Sequence, residues 1–351
     1  MLTIADDRGI QTTAAADDEF FAAWRARELS RVERAGLAYV DYTGAALYAE
    51  SLVRADAARL EQTVLGNPHS QHGPSRESTG DVERAREAIL MFLHADPAEY
   101  AVVLTANATA ACRLVGESFP FAAASTLVLT ADNHNSVNGI REYARARGAA
   151  VSVIPIDGEL RLVDPLSALA TPVRGASLFA LPAQSNFSGV RHPLSLVADA
   201  RARGFAVLLD AASYVPTAEL RLDEVHPDFV AISVYKIAGY PSGVGALVAR
   251  RESLACLQRP SFAGGTVDWV SVQHARHQLM RGPGAFEDGT VPFLAVGAVP
   301  GALATVREVG RDRLARHTAQ LTAQLLRGLA SLRHRNGEPV AMIHGPVGAA
   351  A

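Results

Sequence analysis

Short apolar runs rich in β-branched residues recur along the chain and alternate with amphipathic stretches. The predicted strands are residues 37–42, 101–105, 126–130, 151–154, 177–181, 206–210, 229–234 and 244–249. The predicted helices between them are residues 81–94, 109–118, 136–147 and 194–203. Continuous apolar strands that alternate with helices indicate a mostly parallel sheet covered by helices on both faces. We therefore predict an α/β fold with three layers, α/β/α.

Length and charge limit the organisation and the partners of the chain. We expect an N-terminal helical segment over residues 1–35, a large domain over 36–290, and an interdomain helix with a truncated small domain over 291–351. A net charge of −3 without basic blocks predicts neither nucleic-acid nor membrane binding. Two cysteines and an acidic N-terminus favour a cytoplasmic protein without a signal peptide. The uncharged stretch 289–306 is predicted to be a buried helix with its lead-in rather than a membrane span.

Polar residues that could bind a ligand or take part in catalysis stand at the ends of the predicted strands. Ligands of parallel sheets bind beyond the carboxyl ends of the strands, so these residues are the first candidates for a site. They are Thr109, His134, Asn186, Asp210 and Lys236. Each also has an ordinary structural interpretation. Thr109 could cap a helix, His134 could be a buried structural histidine, Asn186 could belong to a turn, and Asp210 could be a helix N-cap.

Lys236 is the only lysine among 33 basic residues, the others being arginine. An arginine side chain stays protonated in proteins, whereas a lysine amine acts as a nucleophile when its surroundings lower its pKa. A chance survivor is the alternative. Together, the five residues supply an anion site at a helix start, a ring-stacking imidazole, an amide, a carboxylate and an amine. These are the needs of pyridoxal 5'-phosphate, whose ring nitrogen pairs with a carboxylate and whose aldehyde is held by lysine.

The chain resembles the class V aminotransferases, the pyridoxal-phosphate family that includes cysteine desulfurases. It most resembles the desulfurase-like domain of molybdenum cofactor sulfurases and their bacterial relatives. The resemblance covers residues 36–295 in family order, and the matching motifs are residues 39–45, 66–70, 105–109, 132–137, 182–189, 209–212, 233–236, 239–245 and 286–290. It implies the large domain of an aspartate aminotransferase-like fold, with a seven-stranded sheet and a partial small domain.

The resemblance also implies roles for four residues around the cofactor ring. Lys236 would form the internal aldimine and later act as the base that moves the Cα proton of the substrate. Asp210 would pair with the pyridine nitrogen. His134 would stack on the ring, and Asn186 would reach its phenolic oxygen.

Four further residues are implied at the phosphate. Thr109 and Ser233 would bind it, with Ala108 beside them in the cofactor site. Thr290 would reach the phosphate of a partner subunit, so the resemblance implies a homodimer.

Some positions depart from the pattern of cysteine desulfurases. Tyr235 stands where they have histidine, and Ser213 stands where they have glutamine. The family continues into a small domain with a persulfide cysteine and a carboxylate-binding arginine, and we expect the sequence to end before both. Neither Cys112 nor Cys256 matches that cysteine, and both are predicted to be small buried apolar residues.

Two other motifs are predicted to carry no site. The pairs His69/His72 and His274/His277 have helical spacing but lack a third ligand, so we predict no metal site. The glycines at 243 and 245 precede a strand rather than opening a helix, which is unlike a dinucleotide-binding motif.

The sequence thus predicts a pyridoxal-phosphate enzyme that acts on a small amino acid. Desulfurase or sulfurase, lyase and transaminase chemistry all remain open at this point. The alternative is a homologue that binds the cofactor but is catalytically silent.

Overall fold

The computed structural model describes residues 7–170 and 174–347. Its central sheet has seven strands in the order β1-β7-β6-β5-β4-β2-β3. The strands are β1 Tyr100–Thr105, β2 Thr126–Thr130, β3 Ala150–Ile154, β4 Leu178–Pro182, β5 Ala206–Asp210, β6 Phe229–Ser233 and β7 Gly245–Arg250. Only β7 runs against its two neighbours, so the other six strands point the same way. The prediction of a mostly parallel sheet is confirmed.

Helices cover both faces of this sheet. In chain order they are α1 Asp7–Glu28, α2 Ser30–Arg34, α3 Glu50–Gln62, α4 Gly73–Phe92, α5 Ala108–Ser118, α6 Asn135–Asn138, α7 Ile140–Ala146, α8 Pro165–Ala168, α9 Ser195–Ala202, α10 Leu222–Val225, α11 Val234–Ala238, α12 Arg251–Cys256, α13 Phe293–Val296, α14 Val299–Val309 and α15 Arg311–Ser331. A hairpin of β8 Val267–Val270 and β9 His277–Leu279 precedes a 3₁₀ turn, Gly282–Phe286.

The alternation of side chains along each strand divides the core into two layers. On β1, Tyr100, Val102 and Leu104 pack into the cluster that holds α4, α9 and α14. Ala101 and Val103 face the opposite cluster with α5 and α7. Successive side chains of a strand point to opposite faces, so the sheet is buried on both sides. The three-layer α/β/α prediction is confirmed.

The predicted strand over residues 37–42 is wrong. The segment pairs with no described strand, and Leu37 and Val40 are 63% and 88% exposed. Asp41 instead closes a turn by accepting the backbone N–H of Gly44. The apolar run resembles a strand, but it has no neighbouring edge with which to share hydrogen bonds.

The helices after Pro292 include the buried helix predicted within residues 289–306. α14 buries Val299, Ala302, Leu303 and Val306 against the sheet layer, as expected for a core helix. Within the described residues no single helix is long and apolar enough to cross a bilayer, and residues 293–309 and 311–331 pass such a test only as a pair bent by 64°. The division of the chain into three parts stays a prediction.

Candidate active site

A small pocket opens at the carboxyl ends of β4, β5 and β6 and beside the start of α5. Its volume is about 70 Å³. It is lined by Ala108, Thr109, His134, Ser136, Pro182, Gln184, Asn186, Asp210, Ala212, Ser213, Ser233, Tyr235 and Lys236. Every predicted site residue except Thr290 is in this set. The strands that share one direction bring these distant residues to one edge of the sheet.

The start of α5 provides backbone N–H groups to the pocket. Asn107 caps the helix by accepting the N–H of Ala110 at 3.0 Å, and the N–H of Ala108 donates to Ser233 Oγ at 2.8 Å. Within the described chain, the N–H of Thr109 has no hydrogen-bond partner. The capping interpretation of Thr109 is therefore wrong, because Asn107 has that role. A free N–H at a helix N-terminus favours an anion.

His134 lies at the mouth of the pocket, where it begins α6. Its Nδ1 accepts the backbone N–H of Ser136 at 3.1 Å and lies 2.8 Å from Ser136 Oγ. Because a backbone N–H donates to Nδ1, the neutral ring carries its proton on Nε2. Ser136 Oγ also lies 2.7 Å from Thr109 Oγ1, which joins the two predicted cofactor contacts. The sequence reasoning missed Ser136, although its place two residues after His134 was a signal.

Asp210 ends β5 as a buried carboxyl group. Its Oδ1 accepts the N–H of Ala212 at 3.0 Å. Burial raises the pKa of Asp210, and that hydrogen bond together with the positive charges of Lys236 and His134 offsets part of the rise. A buried carboxylate with one backbone partner is stabilised by a cation, and a protonated ring nitrogen is such a cation. No helix of the described structure begins at Asp210, because the next one starts at Leu222, so the helix N-cap interpretation is wrong.

Lys236 lies half-buried in the short helix α11, which follows β6 directly. The helix ends at Gly239, whose φ of 75° suits glycine. A Cβ at Gly239 would lie 2.4 Å from the backbone nitrogen of Tyr48, so only glycine admits the segment that crosses here. The same segment donates the N–H of Ala46 to the carbonyl of Tyr235 at 3.2 Å. Residues 45–48 thus pack against the lysine-bearing turn.

Thr290 lies outside the pocket and is exposed. Its hydroxyl accepts a hydrogen bond from Asn67 Nδ2 at 3.2 Å. The loop that carries it is fixed through Glu287, which accepts the N–H of Leu104 at 2.6 Å and pairs with Arg86 at 2.7 Å. Since β1 is an edge strand, the loop covers the free side of the sheet.

A larger cavity of about 490 Å³ lies between α4 and the loops that precede Thr290. Its walls include Arg86, Glu287 and Met280, and none of the predicted site residues contributes to it. The smaller pocket holds the amine, the imidazole and the buried carboxyl group, so the chemistry belongs there.

The two thiols differ in accessibility. Cys112 is buried, and burial, together with the nearby charge of Asp210, raises the pKa of its thiol well above the usual value. Cys256 is exposed, so the prediction that it is buried is wrong, because it falls at the exposed end of the short helix α12. Neither thiol lines the pocket.

Comparison with known proteins decides the family. The sequence model described as "Aminotransferase class-V" matches residues 38–341. The chain belongs to the class V aminotransferase family. This family member is 34% identical over 355 residues to a protein named "Molybdenum cofactor sulfurase" from Solanum lycopersicum, with 92% of the chain covered. It spans only 43% of that relative's length.

Solved structures share the fold of this class V family member. The apo cysteine desulfurase of Thermococcus onnurineus NA1 is 26% identical with a TM-score of 0.78, and the match covers 88% of this chain and 76% of that one. A C-DES variant with glycine covalently linked to its PLP cofactor has a TM-score of 0.68 over 84% of this chain and 77% of that one. At 19% identity it shows the fold alone. Pyridoxal phosphate is the cofactor of the family.

The pocket of this family member suits that cofactor. The free N–H of Thr109 and the hydroxyl of Ser233 present donors that a phosphate requires, and Asp210 presents a buried carboxyl group whose hydrogen bond in the described structure comes from the N–H of Ala212. Lys236 supplies the amine and His134 a flat ring. The donor set therefore fits a phosphorylated pyridine aldehyde.

Proposed function

We propose that this chain binds pyridoxal phosphate through Lys236 and acts on a small amino acid. The observation that carries the proposal is the meeting of Lys236, Asp210 and His134 in one pocket at the carboxyl ends of the strands. When bound, the cofactor withdraws electrons from the Cα atom of an amino-acid substrate. Everything else in the reaction falls to the residues of the chain.

We assign the phosphate end of the cofactor to α5 and β6. The N–H of Thr109 and the hydroxyl of Ser233 would donate to phosphate oxygens, with Ala108 holding Ser233 in place. At the other end, the Asp210 carboxylate would accept a hydrogen bond from the protonated ring nitrogen. That contact neutralises a carboxylate whose burial is otherwise unfavourable.

The remaining residues would orient the ring and move protons. The imidazole of His134 would cover one face of the ring, held by Ser136. Asn186 would donate to the phenolic oxygen. The Lys236 amine, half-buried beside Tyr235, would hold the aldehyde carbon of the cofactor and then take and return the Cα proton of the substrate.

Sulfur removal from cysteine is the first reaction to test, because the relatives named above are sulfurases and desulfurases. Neither Cys112 nor Cys256 lines the pocket, so the thiol that accepts sulfur would come from outside the described residues. Elimination and transamination need no such thiol, and their products differ. From cysteine, sulfide without pyruvate indicates desulfuration, and sulfide together with pyruvate indicates elimination. Release of an oxo acid without sulfide, from cysteine or alanine, indicates transamination.

A homodimer is part of the proposal. Thr290 is exposed and lies outside its own pocket, as expected for a residue that reaches a partner's phosphate. Trp269 and Val272, in the hairpin region before it, are 50% and 99% exposed, which is typical of an interface. A cytoplasmic location, favoured by the scarcity of cysteine, is also proposed.

Absorbance spectroscopy tests the core of the proposal. The protein reconstituted with pyridoxal phosphate should show the absorption band of the covalent lysine adduct, and borohydride should bleach it. Lys236→Arg keeps the positive charge but should lose the band. A wild-type protein without a band, or a band that survives Lys236→Arg, contradicts the proposal. A band with no turnover of any amino acid would instead favour the catalytically silent alternative.

A further inference from the structure

A buried carboxylate–imidazole pair lies next to the pocket without lining it. His192 Nε2 lies 2.8 Å from Asp132 Oδ2, and the two side chains are only 2% and 1% exposed. The hydroxyl of Thr130 donates to the other carboxylate oxygen at 2.9 Å. Burial opposes the charge of Asp132, but the hydrogen bond and charge of His192, with the Thr130 hydroxyl, hold the pKa of Asp132 below its usual value.

The pair joins two loops that carry predicted cofactor contacts. Asp132 follows β2 and stands two residues before His134. His192 follows β4 and stands six residues after Asn186.

Neighbouring hydrogen bonds make both loops stiff at this point. The side-chain amide of Asn133 donates to the carbonyl of Ala180 at 2.9 Å, and the N–H of His192 donates to the carbonyl of Ala183 at 3.1 Å. The Asp132–His192 pair is therefore a buried link between two loops that are themselves held in place, and not a surface contact. A shift of either member would move the His134 loop relative to the Asn186 loop.

Stability alone does not explain such a pair. Desolvation of two charged groups is costly, and well-packed apolar residues often serve a core equally well or better. A buried pair with an additional hydroxyl donor does, however, allow one geometry only. Because the pair joins the two loops, this single geometry would fix the position of one loop relative to the other.

We propose that Asp132 and His192 are positioning residues that set the separation of His134 and Asn186 across the cofactor ring. The inference rests on the proposed function, because it is that function which places the ring between them. The pair touches neither cofactor nor substrate and acts only through the loops.

Three variants test this role. His192→Phe keeps a ring but removes the donor, His192→Gln keeps an N–H donor near the position of Nε2, and Asp132→Asn removes the charge. Tyr100→Phe is the matched control, because Tyr100 is fully buried and its hydroxyl donates to the carbonyl of Pro227. Tyr100 is the first residue of β1, at the end of the sheet away from the pocket. The readouts are the Kd of pyridoxal phosphate, the circular dichroism of the bound cofactor and the melting temperature of the cofactor-free protein.

His192→Phe should weaken cofactor binding by about tenfold or more and change the dichroism of the bound cofactor, as loss of an outer partner of a metal ligand costs about 10- to 100-fold. His192→Gln should restore most of the affinity. Tyr100→Phe should lower the melting temperature only. If His192→Phe does not fold, Asp132→Asn carries the test with the same expectation.

The outcomes separate the two proposals. A wild-type protein that binds no cofactor overturns both the function and this role. A wild-type protein that binds it, with His192→Phe or Asp132→Asn losing thermal stability alone like Tyr100→Phe, overturns the positioning role and leaves the proposed function standing.

Discussion

Ser233 accepts the backbone N–H of Ala108 at 2.8 Å, and this contact joins the end of β6 to the start of α5. The two residues are separated by 125 positions in the sequence. Because its oxygen is the acceptor in this bond, the Ser233 hydroxyl proton is free to be donated elsewhere. The contact keeps that donor in the same pocket as the free N–H of Thr109, so the proposed phosphate site is assembled before any ligand arrives.

Ser233→Ala should weaken cofactor binding by roughly tenfold or more. The variant loses a hydrogen bond to a charged group, worth about 1.5–3 kcal/mol, and leaves the N–H of Ala108 without its partner. Titration with pyridoxal phosphate followed by absorbance gives the Kd. Ser118→Ala is the matched control, because Ser118 is equally buried and its hydroxyl has no partner in the described structure. Equal affinities of the two variants would remove Ser233 from the site.

Asp210→Asn should stabilise the cofactor-free protein at neutral pH while it abolishes most activity. The folded-state pKa of Asp210 is raised, so its ionised form opposes folding at pH values above that pKa, and the opposition disappears at lower pH. Asparagine keeps the acceptor for Ala212 and carries no charge. Melting temperatures across pH 4–8 should show a gain over wild type that is larger at high pH. Turnover of any substrate found should fall by about 100-fold or more, since a neutral amide lacks the negative charge that keeps the ring nitrogen protonated. A variant less stable than wild type at pH 7 contradicts this account of Asp210.

Mixed dimers test whether Thr290 acts across the interface. Lys236→Arg and Thr290→Val should each impair their own homodimers. In a mixed dimer one pocket receives both changes and the other receives neither, so unfolding and refolding an equal mixture should restore roughly a quarter of the wild-type sites. Activity, or the absorbance band of the bound cofactor, measures the recovery. No recovery beyond the sum of the two parents would mean that Thr290 serves its own chain.

The contribution of Asp132 to the free energy of unfolding should decrease as the pH falls in the acid range. Its folded-state pKa is lowered, so the contribution is complete above the ordinary carboxyl pKa of about 3.9 and is lost as pH falls through the folded-state value. Urea unfolding of wild type and Asp132→Asn should therefore differ most between pH 5 and pH 7, by about 1–3 kcal/mol, and converge at lower pH. A constant difference at all pH values would show that the carboxylate charge is not the cause. Thr130→Val, which removes one of the hydrogen bonds to the Asp132 carboxylate, should give a smaller difference with the same pH dependence.

The sequence predicted the residues of the pocket better than it predicted the contacts that support them. The rule that ligands bind at the carboxyl ends of parallel strands identified Asp210 and Lys236, and six strands of the sheet do share one direction. His192 was missed because its partner Asp132 is 60 residues away in the sequence, and no local pattern indicates such a pair. The false strand at residues 37–42 has the right composition, but strand formation requires a partner edge that a local window does not contain.

The antiparallel strand β7 determines when the sheet can be completed as the chain folds during synthesis. β1 pairs with β7 alone in the described sheet, and the register joins Tyr100 to Arg250, far along the chain. Until the ribosome has released β7, β1 and the α5 start that follows it have no place on the sheet, because closing so distant a pairing comes late. A nascent chain shorter than about 250 residues therefore cannot assemble the proposed phosphate site, and binding of the cofactor would report that the whole sheet has formed.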